Sequence, residues 1–291
     1  MTKHSVPMSV LAIHLTAKCN MACSFCKGAD YMVQADTSQA EQAKQLKDVL
    51  SQHNHVKQII WSGGEPLLAL RRAMSLSEIS REMAPDARQQ FLTNGRKLKL
   101  SQVEKLKTFD QVTVSIDGYE KGERTIQGFL DENAFEAFEA MYALDNVDTW
   151  SVVTSQQLWD GRWYEDIIKL HNSIFHLGFK TMGLILDKFM EKPLFTDQVL
   201  NFVYGYKQIK ENIHRLNDMY GTNVYLNLPG FFRHYHCNAC SEGGEIEPNG
   251  GFVRTSDCTA IKDAGCSNLA SVIGVENYKY INKFLRPNAG A

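Results

Sequence analysis

Three cysteines fall within one short run, Cys19-Asn-Met-Ala-Cys23-Ser-Phe-Cys26. A loop that tight cannot bury three thiols separately in a core, and close-set thiolates are ligands for zinc or for iron–sulfur clusters. A structural zinc site takes four ligands, and this run offers three. A cubane cluster held by three cysteines keeps its last iron open for another ligand, which suits a cluster that binds a small molecule as well as passing electrons. A second group, Cys237-Asn-Ala-Cys240 followed by Cys258 and Cys266, supplies four more thiols. Two Cys-x-x-Cys pairs would read as a zinc ribbon, but Cys258 and Cys266 stand too far apart for a second knuckle. A closed cluster and a zinc site, to which His234 and His236 could contribute, both remain open on spacing alone.

The bulk composition narrows the setting. Seven cysteines would leave one thiol over from any disulfide framework, and nothing in the sequence points to export, so a cytoplasmic, metal-binding chain is the expectation. The 291 residues hold 31 lysines and arginines against 33 aspartates and glutamates, a net charge of −2. No global field therefore draws the chain to nucleic acid or to an anionic membrane. No apolar run reaches the roughly 20 residues of a membrane span. The apolar stretch Val6–Leu15 before Cys19 has the look of a lipoprotein signal, but His14 interrupts it and bulky Lys18 precedes the cysteine where processing needs a small residue. It reads as a first strand.

The elements that must position the first thiols alternate in type. Strands are expected at Val10–Leu15, Gln58–Trp61, Gln90–Leu92, Gln111–Ser115, Asp148–Val153 and Lys180–Leu186. Helices are expected between them at Ser38–Gln52, with Thr37 as the N-cap, and at Leu67–Met83, where Pro66 suits a first helical turn. Further helices are read at Ser101–Leu106, Ala134–Leu144 and Tyr164–Leu177. Six strands separated by helices make a parallel sheet, either doubly wound or curled into a barrel. After Leu186 the rhythm changes to a mostly helical Thr196–Met219 and a short strand in Asn223–Leu228. From Phe231 the chain turns rich in Cys, Gly and Asn. Its Glu245–Val253 segment, with Pro-Asn-Gly-Gly at the centre, reads as a β-hairpin that folds Cys258 back towards Cys237 and Cys240.

Three further motifs follow strands. Trp61-Ser-Gly-Gly-Glu-Pro66 follows the second, Phe91-Leu-Thr-Asn-Gly95 the third, and Ser115-Ile-Asp-Gly118 the fourth. Each is an ordinary turn when taken alone. Together with the cysteine run they occupy the carboxyl ends of four consecutive strands, the face on which parallel α/β folds build ligand sites. Asp117 on this rim could take a proton from a substrate or simply shape its turn. Trp61 and Tyr119 read as packing.

The spacing CxxxCxxC with Phe25 before its last cysteine closely resembles the signature of the radical SAM superfamily, over about Val10–Leu186. The resemblance implies a partial (β/α)6 TIM-like barrel. It also implies a [4Fe–4S] cluster on Cys19, Cys23 and Cys26 whose open iron chelates S-adenosylmethionine (SAM). Phe25, Gly63, Gly64, Glu65, Asn94 and Ser115 would then lie around that cofactor. Where the family often carries a glycine-rich stretch near adenine on the sixth strand, Met182-Gly-Leu-Ile-Leu186 keeps a single glycine, which puts adenine contacts there in doubt. The C-terminal cysteines resemble the auxiliary-cluster domain of the SPASM and twitch subgroup. Four thiols rather than seven fit the shorter twitch form, with an auxiliary [4Fe–4S] on Cys237, Cys240, Cys258 and Cys266. With three ligands instead, Cys266 would be left to donate a hydrogen atom, as in radical epimerases.

The expected organisation is a barrel over 1–186, a helical bridge over 187–230 and an auxiliary-cluster domain over 231–291. The expected activity is reductive cleavage of SAM and hydrogen abstraction from a peptide or protein side chain, leading to oxidation, a cross-link or epimerisation. A sugar or other small molecule is the alternative substrate, favoured by the shortness of the segment before the first strand. A zinc-stapled binding protein is the alternative from another class. An external one-electron donor of flavodoxin or ferredoxin type would be needed. The aromatic and basic Tyr278–Arg286 reads as a surface helix rather than an RNA contact.

Overall fold

The structure, a computed structural model, describes residues 9–26, 36–53, 55–121, 124–131, 135–178, 181–186, 196–227, 243–246 and 252–254. Six strands come first: β1 (Val10–His14), β2 (Gln58–Ser62), β3 (Arg88–Thr93), β4 (Gln111–Ser115), β5 (Val147–Val153) and β6 (Thr181–Leu186). They are followed by β7 (Tyr225–Asn227), β8 (Gly243–Ile246) and β9 (Phe252–Arg254). The sheet order is β7-β6-β5-β4-β3-β2-β1-β8-β9, and it does not close on itself. Every pair from β1 to β7 is parallel, so each connection must cross over, and helices make those crossings. This open parallel sheet is the partial barrel that the family resemblance implies. The expected hairpin is present as antiparallel β8 and β9, and β8 adds in parallel to the free edge of β1. The remaining C-terminal segment, with Cys237, Cys240, Cys258 and Cys266, lies outside the described residues, as does Tyr278–Arg286.

The helices are α1 (Gln39–Gln52), α2 (Leu70–Met83), α3 (Leu100–Leu106), α4 (Ile126–Asp131), α5 (Phe135–Tyr142), α6 (Ser155–Trp159), α7 (Trp163–Ile174) and α8 (Thr196–Tyr220). Their buried positions recur at three- and four-residue steps, as in Trp163, Ile167, Leu170, His171 and Ile174 of α7. The core forms between these stripes and the outer face of the sheet. On β1, Leu11 and Ile13 are fully buried against the helices while Ala12 and His14 alternate to the other face. Trp61 on β2 belongs to this core, with its indole N–H donating to Gln89 Oε1 at 3.0 Å. It is packing, as expected. Trp163 stacks flat on Phe202, with ring centres 5.7 Å apart, and holds α7 against α8.

Two local details differ from expectation. Helix α1 is capped by Ser38 rather than Thr37: the Ser38 hydroxyl accepts from Glu41 N at 3.2 Å, and the Glu41 carboxylate returns to Ser38 N at 2.9 Å. Only the residue three positions before Glu41 can close this reciprocal box. Pro66 starts a single 3-10 turn (Pro66–Ala69), and the α-helix proper begins at Leu70. The Glu65 side chain, which accepts from Leu67 N, tightens that entry.

Candidate functional site

The carboxyl ends of β1 to β4 carry the four motifs, and a network of hydrogen bonds locks their loops together. Leaving β1, Leu15 N donates to Ser62 O at 2.9 Å, extending the pairing with β2 past the last ladder residue. The two following loops then lie directly on each other. Gly64 N donates to Thr16 O at 2.7 Å and Glu65 N to Lys18 O at 2.8 Å. Both glycines are required by this contact. A Cβ on Gly63 would sit 2.6 Å from Thr16 O, where the backbone φ is +131°, and one on Gly64 would sit 2.2 Å from Lys18 O. The obstructing atoms are backbone, so they cannot swing aside. The Gly-Gly pair thus presses the residues just before Cys19 against the β2 rim.

Asp36 secures the same segment from its far side. It accepts from the Thr16 hydroxyl at 2.6 Å and from Ala17 N at 2.7 Å. Arg72 on α2 donates to Leu15 O at 2.8 Å. The cysteine loop therefore leaves a rigid root.

Glu65 is the central tie. It is 1% exposed, and its two carboxylate oxygens accept from Leu67 N at 2.8 Å, the Thr93 hydroxyl at 2.6 Å and Asn94 N at 2.8 Å. One buried side chain so links the β2 rim to the β3 rim. Burial pushes its carboxyl up, against the downward pull of Thr93, Leu67, Asn94 and the more distant Arg124. Asn94 carries the chain of contacts on to the cysteines. Its amide donates to Asn20 Oδ1 at 2.8 Å, and Asn20 returns a bond to Arg96 O at 3.1 Å. Cys19 Sγ lies 4.0 Å from the Asn94 amide and accepts from Met21 N at 3.4 Å. Burial raises the Cys19 thiol, the Met21 N–H opposes this, and the neighbouring Glu65 and Cys26 add to it.

At the β4 rim, Asp117 is 1% exposed and fully engaged. Arg124 grips it through Nε at 2.9 Å and Nη2 at 2.6 Å, and Val152 N donates to it from β5 at 2.9 Å. Of the two roles open to Asp117 in the sequence, this geometry supplies the loop-shaping one. The Arg124 guanidinium also lies over the Phe25 ring, 5.0 Å from its centre, which brings the β4 loop against the cysteine loop. Burial opposes the Arg124 charge, but the Asp117 carboxylate, with help from Cys23 and Cys26, raises its pKa and holds it protonated. Ser115 is half-buried at the end of β4, in register with Trp150 of β5. Gly183 on β6 is a packing requirement: a Cβ there would meet the Trp150 ring at 2.4 Å.

Cys19 and Cys23 are partly exposed and Cys26 is exposed. Among the described residues, no three His, Cys, Asp or Glu side chains are gathered in metal-ligand geometry, these cysteines included. The donors nevertheless fit a cluster in kind. Three thiols lie on one loop without regular structure between Leu15 and Cys26, on a fixed root, with an N–H aimed at one sulfur and the Arg124 cation over Phe25 of the same loop. Binding would close the loop around the metal, as metal sites do when ligation is coupled to folding. Asn20, Asp36 and Arg124 belong to this site and carry no distinctive signal in a single sequence. The first merely separates two cysteines, and the others reach the site from 10 or more residues away along the chain.

Comparison with known proteins places this arrangement. Residues 13–141, just under half of the chain, match the family model described as Radical SAM superfamily. A GTP 3',8-cyclase of Synechococcus sp. (strain CC9902) is 30% identical over 118 residues, 40% of this chain, and the match spans about a third (34%) of that relative's length. Native anSMEcpe with bound AdoMet superposes with a TM-score of 0.63 at 18% identity, covering 94% of this chain and 82% of that one. Streptococcus suis SuiB bound to precursor peptide SuiA gives 0.59 at 16% identity, covering 96% of this chain and 67% of that one. At such identities the two likenesses establish the fold. No helix among the described residues is long and apolar enough to cross a membrane.

Proposed function

We infer that this chain, whose residues 13–141 match the Radical SAM family model, is an enzyme that binds a [4Fe–4S] cluster on Cys19, Cys23 and Cys26 and reductively cleaves SAM. When bound, the cluster and SAM supply a 5′-deoxyadenosyl radical, formed with methionine by one-electron cleavage of a sulfonium carbon–sulfur bond. The observation that carries this reading is the clamp between the cysteine loop and the β2 and β3 rims.

Each rim residue has a task within this reading. The Gly63-Gly64 backbone is assigned to the methionine amino group of SAM. Glu65 keeps that turn and Asn94 in fixed register. Phe25 would pack beside the bound cofactor, and Ser115 at the end of β4 would lie near its ribose. Rigid support of this kind keeps a reactive intermediate oriented and shielded from water.

The substrate in this proposal is a peptide or protein side chain, from which the radical abstracts hydrogen. Support comes from the fold's likeness to proteins solved with a precursor peptide, SuiA, and with the Cp18Cys peptide. The name of the GTP 3',8-cyclase relative favours a second reading, a small-molecule substrate. Cys237, Cys240, Cys258 and Cys266 are assigned to an auxiliary [4Fe–4S] of SPASM/twitch type, and an external flavodoxin- or ferredoxin-type protein to electron delivery.

Anaerobic purification tests the assignment. Two cubanes require about eight irons per chain with matching sulfide, whereas one or two zincs and no colour mean a zinc-stapled binding protein. With dithionite and SAM the iron-loaded protein is expected to form 5′-deoxyadenosine, and Cys23→Ala to abolish it. A Cys23→Ala variant that cleaves SAM normally overturns the proposal. Incubation with candidate peptides and nucleotides in deuterated water then separates the outcomes. Solvent deuterium on a product carbon marks epimerisation, and a two-electron mass loss without it marks dehydrogenation or cross-linking.

A further inference from the structure

The β4 loop carries a fixed positive charge against the cysteine loop. Arg124 is anchored on one side by a two-point contact with Asp117, itself 1% exposed, and presents its guanidinium to Phe25, the residue immediately before Cys26. Its side chain is 13% exposed. Guanidinium stays protonated throughout the usable pH range, so this is a permanent positive charge. Water screens it little at such exposure.

We propose that Arg124 is a positioning residue that sets the reduction potential of the metal group held by Cys19, Cys23 and Cys26. The proposal rests on the assignment of that loop to an iron–sulfur cluster. One-electron reduction by an external low-potential donor adds a negative charge to the cluster and its thiolates. A fixed cation against the loop that carries those ligands stabilises that added charge and raises the potential. Asp117 has the opposite sign but stands behind Arg124, held through the guanidinium and through Val152 N on β5. The ion pair is therefore a dipole with its positive end towards the cysteines. The influence of the same guanidinium on Glu65, and its mutual interaction with Cys23 and Cys26, agree with that orientation.

The test is a redox titration of the reduced-cluster EPR signal under anaerobic conditions, on the full chain carrying Cys237→Ala and Cys240→Ala so that only the first site contributes. Arg124→Gln is expected to lower the midpoint potential by at least a tenfold change in the one-electron equilibrium, about 59 mV. Arg124→Lys should restore most of the difference. Asp117→Asn, which uncovers the cation, should move the potential the other way. Opposite signs for Arg124→Gln and Asp117→Asn cannot come from a general loosening of the loop. Equal potentials in all variants, or a fall in both Arg124→Gln and Asp117→Asn, overturn the proposal. If Arg124→Gln fails to retain iron, Asp117→Asn decides alone: a rise supports the proposal and no rise rejects it. Parent protein without any cluster signal would instead refute the cluster assignment itself.

Discussion

At the scale of single residues, the site depends on Glu65 being able to accept hydrogen bonds at both oxygens. Leu67 N and Thr93 Oγ1 share one oxygen, and Asn94 N takes the other. A glutamine of the same shape has one acceptor and one donor. Whichever way its amide is turned, a buried backbone N–H, of Leu67 or of Asn94, faces an NH2 group and goes unpaired. Glu65→Gln is therefore expected to lower unfolding free energy by about 1–3 kcal/mol in urea titrations, and to weaken SAM binding because the β2 and β3 rims lose their common tie. An unchanged midpoint and unchanged SAM affinity would mean that the carboxylate does not hold the rims. The sequence made much of this visible. The cysteine spacing and the Gly-Gly-Glu-Pro turn announce themselves because few other uses explain such residues together. Asp36 and Arg124 are invisible there, since any exposed loop carries aspartates and arginines. Only the fold brings Asp36 to Thr16 and Arg124 to Phe25.

At the scale of elements, strands were more legible than helices. All six expected strands of the barrel form, because alternation such as Leu11 and Ile13 against Ala12 and His14 fixes both the element and its face. The short helices α4 and α6 leave no mark in the sequence: with six and five residues they show too little of a helical period. Helix α7 carries a hidden feature of a different kind. His171 is fully buried in its apolar stripe, and burial alone drives its pKa down to about 3. The folded protein thus keeps this ring neutral, whereas the unfolded chain binds a proton below about 6.5. Stability from this site is complete above the unfolded value and is lost as pH falls from there towards the folded one. The slope approaches about 1.4 kcal/mol per pH unit for one proton. His171→Leu should remove that increment from the pH dependence of unfolding between pH 6 and pH 4. A variant with the wild-type slope would show that His171 titrates normally.

At the scale of the whole molecule, one open sheet supports everything. Its parallel order places four loops at one end, and the β8–β9 hairpin extends the β1 edge, on the strand that leads into the cysteine loop. The auxiliary-cluster domain expected over 231–291 includes that hairpin. Pairing partners across more than 200 residues, such as Val10 with Gly243, leave no local trace in a single chain. The proposed chemistry turns on the first three thiols. The most direct measurement is pulsed EPR of the reduced protein carrying Cys237→Ala and Cys240→Ala, with SAM labelled by nitrogen-15 at its amino group. The account predicts that SAM alters the cluster signal and that a nitrogen-15 coupling appears, showing the amino group bound at an iron that the cysteines leave open. A cluster signal indifferent to SAM, or one that persists unchanged in Cys23→Ala, would contradict it.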